Sequence, residues 1–203
     1  MITFGMIVAG IGVLLFLRSG VDATYWDILP AFIVMGFGMS FIWAPMTTAV
    51  LNSVPSDKSG IASAINGAIR EIGTAFGIAL LGTLANTTYK NSFKDDATIQ
   101  TLSASGDAAV QAALNFVGNG ASEAGHVLEK TPMASTIPAD VLAQIRDASS
   151  LAFIDGMDLA MIFGASAMIL AGVISYFLVN DEVFVTKPEP VIADQELSAQ
   201  PAD

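Results

Sequence analysis

The chain has 203 residues, 53% of them apolar and 13% charged, with a mean hydropathy of +0.63; a sequence this apolar excludes an ordinary water-soluble globular domain. It contains no cysteine, which excludes a disulfide framework, a thiolate nucleophile and a cysteine-ligated metal. The net charge of -11 sits outside the apolar blocks, because residues 86–158 carry four basic and nine acidic side chains and residues 180–203 one and six. Nucleic acid and anionic lipid are therefore poor partners for either stretch.

The first apolar block, residues 1–17, ends at Arg18. A cleaved export signal has its basic residues before the apolar run, so this block reads as a span over residues 1–18. At ~1.5 Å rise per residue it is only just long enough to cross, and no polar segment leads into it. We expect the sequence to begin partway through a larger protein.

A polar turn containing Thr24, Tyr25, Trp26 and Asp27 puts aromatic rings where a membrane interface would lie. The second span, residues 28–51, spaces the small residues Gly36, Ser40, Ala44 and Thr48 four apart, which lines one helix face and lets another helix come close. Pro45 removes a mid-helix hydrogen bond and predicts a kink near residues 41–44.

Pro55, Asp57 and Gly60 mark a tight reversal, with Ser56 or Ser59 available to cap the next helix. The third span, residues 60–88, repeats the small-residue device at Ser63/Gly67 and at Gly73/Gly77. Tyr89 and Lys90 are expected at its far end. Counting back about 20 residues puts Arg70 near the opposite boundary. Arg70 and Glu71 have two readings, a polar element of a translocation path or gate, and an interfacial anchor. Adjacent helical residues point ~100° apart, so the two should have separate partners, whereas Asn66, four residues before Arg70, shares its face.

Residues 89–155 form a long polar stretch with helical signals at 96–117 and 139–153. In the second, Val141, Leu142, Ile145, Ala148 and Ala152 make an apolar stripe, predicting a helix that runs into the last span, residues 156–179. The tail, residues 180–203, is acidic, contains proline and is expected to be disordered. Four spans place both ends on one side, but Lys58 and Arg70 against Arg18 hardly choose which.

Glu123 and His126 have an ExxH spacing, yet a carboxylate-bridged metal site needs a second such motif and further glutamates. No GxSxG, HExxH or phosphate-binding loop occurs. No catalytic residue, metal or cofactor is expected.

Residues 36–84 resemble the late membrane helices of the major facilitator superfamily, in its fourteen-helix drug:proton antiporter branch. Val54, Pro55, Gly60, Ala62, Ser63, Asn66, Arg70, Gly73, Gly77 and Ala79 fall in the places of that family's turn and helix pattern, and Ala152, Phe153, Gly156 and Met157 resemble its entry to the last helix. Glu71 departs from it, since the family more often has Gln there. The resemblance implies an all-α integral membrane fold, four transmembrane helices forming part of a larger bundle, with a long, partly helical external loop. It also implies a place in the plasma membrane of a bacterium, the 52–60 turn and tail in the cytoplasm, and proton-coupled efflux of small amphipathic molecules. The expected partners are then the lipid bilayer, substrate, protons and the N-terminal helices absent from this sequence. A second reading is a self-contained four-span subunit or oligomeric scaffold without transport of its own.

Overall fold

A computed structural model describes residues 1–21, 23–120 and 128–178. The ExxH pair and the acidic tail lie outside these residues. The described chain is built of helices: α1 (Ile2–Leu15), α2 (Tyr25–Asn52), α3 (Ser59–Asp95), α4 (Ala97–Ala104), α5 (Ala108–Asn119) and α6 (Ala139–Leu178). A 3-10 turn, Phe16–Arg18, extends α1. Three helical stretches, Tyr25–Asn52, Ser56–Asp95 and Ala139–Phe177, are long and apolar enough to cross a membrane, and Ile2–Arg18 is a shorter apolar helix.

Local chemistry accounts for several of the ends. Asp27 returns its carboxylate to the Thr24 amide at 2.9 Å, closing a capping box at α2. Asp96 accepts from the amides of Thr98 and Ile99, and Asp107 from that of Ala109, so an aspartate starts each of α4 and α5. Gly106 joins those two helices at φ +74°, a left-handed conformation that glycine adopts without a Cβ clash. The expected serine cap of α3 does not form: Ser59 donates to the Ser56 carbonyl at 2.9 Å instead. α2 stays one helix through Pro30 and Pro45. Around Pro45, Thr47 and Thr48 donate to the carbonyls of Trp43 and Ala44, both at 3.0 Å.

Neighbours run in the order α2, α1, α6, α3. Glycines set the seams. A methyl at Gly12 would lie 2.5 Å from the Met35 amide nitrogen, and one at Gly5 would lie 2.7 Å from the Gly38 carbonyl oxygen. At the other face of α1, a methyl at Gly10 would meet Ile169 at 2.7 Å, and one at Gly172 would meet Met6 at 3.1 Å. Between α3 and α6, a methyl at Gly156 would sit 2.5 Å from the Ala85 carbonyl oxygen. Lipid tails offer helices no hydrophobic drive to associate, so close backbone approach at small residues is what holds such seams. Edge-on rings add to the first one, Phe4 on Phe41 at 5.7 Å and Phe16 on Phe32 at 4.9 Å.

α3 and α6, at ~1.5 Å per residue, are far longer than the ~30 Å hydrocarbon core requires. Their far ends join α4 and α5 in a compact cap. Its core holds Tyr89, Phe93, Ile99, Val110, Ala113, Leu114, Val117, Leu128 and Ile137 with Ile145, Ala148 and Ala152. The stripe predicted on residues 141–152 is thus the side of α6 that faces this core, and the helix does run on into the apolar stretch. Tyr89, expected as an interfacial marker, is 1% exposed. Its hydroxyl donates to the Val117 carbonyl at 2.8 Å and meets the Ser149 hydroxyl at 3.1 Å, tying α3 to α5 and α6. Tyr89→Phe should cost about 1–3 kcal/mol of cap stability, because the buried Ser149 hydroxyl loses this contact and, among the described residues, the Val117 carbonyl keeps only the Gly120 amide, at 3.3 Å. Amide hydrogen exchange across α5 measures it; unchanged protection there would show the bond to be dispensable.

Candidate functional site

α2 and α3 are joined by a short turn, with Trp43 nine residues before the end of α2 and Arg70 eleven after the start of α3. At ~1.5 Å per residue the two stand at similar heights above the turn. The Arg70 guanidinium carbon lies 4.9 Å from the centroid of the Trp43 ring system, within cation–π range. The next turn of α3 is also tied locally, since Thr74 donates to the Arg70 carbonyl at 2.9 Å.

Asn66 is half-buried one turn nearer the reversal, and Glu71 is exposed. The structure therefore joins Arg70 to Trp43 across the two helices and leaves Glu71 pointing elsewhere. The sequence named Arg70; its aromatic partner it did not. The missed signal was arithmetic, equal distance from one turn. Tyr89, being in the cap core, also no longer marks the interface from which the depth of Arg70 was counted.

Around this pair α3 is bare. None of the 18 residues of its most apolar window is buried, and Ile72 is 70% exposed, Phe76 69% and Ile78 70%. Of the residues expected to pack, Gly36, Gly73 and Gly77 have no heavy atom from beyond their own stretch of helix within 4 Å of where a side chain would start. Ser40 turns its hydroxyl to the Phe37 carbonyl at 2.6 Å, Ala44 is exposed and Pro45 half-buried. The seams of this chain use Gly38, Gly5, Gly12, Gly10, Gly156 and Gly172 instead. Gly5, Ala9 and Gly12 are a small-residue stripe legible in α1.

On the cap side of the bundle lies an open apolar groove of about 490 Å³. Val13 of α1, Leu81 and Ala85 of α3, and Met157, Met161 and Met168 of α6 line it. Methionine side chains are unbranched and polarisable, so such a wall adapts to apolar bodies of differing shape. Met35, Met39, Phe41, Trp43 and Met46 of α2 do not line it.

No protein-family profile matches the chain, and no solved structure matches it. Among curated proteins it is 26% identical over 170 residues to "Multidrug efflux pump LfrA" of Mycolicibacterium smegmatis, covering 84% of this chain and 31% of that protein. It is 32% identical over 84 residues to "Probable actinorhodin transporter" of Streptomyces coelicolor, covering 39% and 14%. To "Tetracenomycin C resistance and export protein" of Streptomyces glaucescens it is 25% identical over 163 residues, covering 78% and 27%. The chain thus spans about a third or less of the length of the curated relatives it matches. With these relatives and its long apolar helices, it is a multi-pass protein of the plasma membrane.

Proposed function

We propose, from the premise that this chain resembles the drug-efflux transporters of the major facilitator superfamily as its relatives bear out, that it is the C-terminal portion of such an exporter. Proton-coupled efflux of small amphipathic molecules is the activity of the assembled protein, which includes N-terminal helices that this sequence lacks. The observation that carries the reading is the bare half of α3. A helix that presents Asn66, Arg70 and Glu71 to hydrocarbon on all sides is costly, about 2.5–3.5 kcal/mol for a charge at mid-membrane, so protein or a water-filled path covers it. Further helices of an exporter supply that cover, and Gly36, Gly73 and Gly77 give them close approach.

In this reading Arg70 on Trp43 is an interhelical latch at the cytoplasmic half of the path. The cap is external, and the methionine-lined groove receives the apolar part of a substrate. No enzyme activity is proposed, in keeping with relatives named for transport.

The test joins the chain to the reading frame preceding Met1. Cells making the joined protein should expel a fluorescent amphipathic dye, an uncoupler should abolish that export, and the chain alone should give none. Equal export by the chain alone, or a stop codon just upstream with no helix-rich frame before it, would refute the proposal.

A further inference from the structure

We infer that Asp158 of α6 and Ser19 at the end of α1 form a binding site for one small cation, a proton or an alkali ion, at the cap-side end of the α1–α6 seam. Among the described residues, Ser19 Oγ and Asp158 Oδ1 are the buried side-chain oxygens with no hydrogen-bond partner. Ser19 is 8% exposed. Buried polar atoms are nearly always partnered, so two orphans together need a physical reason.

The register of the seam brings them together. Gly172 stands beside Thr3 and Met6, and Gly10 beside Ala165 and Ile169, so α1 and α6 run antiparallel. Each step back along α6 is matched by an equal step forward along α1. Asp158 lies two turns before Ala165 on the same, α1-facing side of the helix. It therefore comes level with Ser19, where α6 touches the turn Phe16–Arg18. Elsewhere the seam packs closely at Gly10 and Gly172. Asp155 on α6 adds a second carboxylate one turn away. Arg18 is exposed on the adjoining turn, and Lys90 of α3 follows Tyr89, whose backbone packs at Gly156.

A carboxylate oxygen accepts only, and a hydroxyl both donates and accepts. A proton delivered by hydronium forms an O–H bond on Asp158, releases water, and lets the new acid donate to Ser19 Oγ. An alkali ion is held by both oxygens at once. Either cation satisfies the two atoms together. The site would give the proposed exporter an exchangeable cation, and its test does not depend on transport.

Dicyclohexylcarbodiimide attacks protonated carboxyls in apolar surroundings, and mass spectrometry of the full chain in liposomes locates the adduct. Asp158 should label with a pH profile different from that of the exposed Asp95. Ser19→Ala should move the midpoint by about one pH unit to lower pH, roughly a tenfold loss of proton affinity, and Ser19→Thr should restore it. Sodium chloride protecting Asp158 at fixed pH identifies an alkali ion; no protection identifies the proton. Labelling of Asp158 indistinguishable from that of Asp95, or unmoved by Ser19→Ala, overturns the site.

Discussion

Replacing Gly38 with leucine is expected to pry α1 from α2, whereas leucine at Gly36, two residues away, leaves the isolated chain unchanged. A Cβ at Gly38 collides with the backbone nitrogen of Ala9 and lies 2.8 Å from both the Ala9 Cα and the Gly5 carbonyl oxygen. Backbone cannot swing aside as a side chain can. Overpacking at a yielding site costs about 1–3 kcal/mol; here the helices must separate, and every contact of the seam weakens together. Cysteines at Phe4 and Phe41, whose rings touch across the seam, report the result through disulfide yield. The yield should collapse with Gly38→Leu and persist with Gly36→Leu; equal yields would mean that the seam is not where close approach matters. In the proposed joined exporter Gly36→Leu should lose activity, since in that reading its open face takes up further helices. If activity there is unchanged, the small-residue stripe of α2 has no partner.

Arg70→Ala is expected to reduce export by the joined protein about two- to thirtyfold without lowering its amount in the membrane. The estimate follows from a cation–π contact of about 0.5–2 kcal/mol, exposed at the low end and desolvated at the high end. Trp43→Ala should give the same loss, and the double variant little more, because both remove one interaction. An interfacial anchor behaves otherwise: it tolerates Arg70→Lys fully and is indifferent to Trp43. Additive losses in the double variant would therefore favour the anchor and sink the latch.

The predicted elements that matched were those set by local sequence. Ile145, Ala148 and Ala152 are spaced for one helix face, and Asp96 opens the helical stretch expected at 96–117 because its carboxylate reaches the next amides; that stretch is broken in two, with Asp107 starting the second helix, which was not expected. The candidate pair was half legible. Arg70 stands out as a charge in an apolar run, but nothing in residues 66–74 points to Trp43, which is brought near by the geometry of the turn. Tyr89 misled for a related reason. A tyrosine at the end of an apolar helix suits both a membrane interface and a buried junction, and only the carbonyl of Val117, 28 residues away, distinguishes them.

By itself the sequence determined that the chain is helical, that it belongs in a membrane, and which exporters it resembles. These follow from run length, composition and local motif. Only the tertiary structure decided which glycines form seams, where the groove lies, and which oxygens, Ser19 Oγ and Asp158 Oδ1, are buried without a partner. The reason is that a helix apolar on all sides has no preferred face to bury. In α1 and α2 the direction of burial is therefore set by backbone fit between helices, where Gly38 meets Ala9 and Gly36 meets nothing.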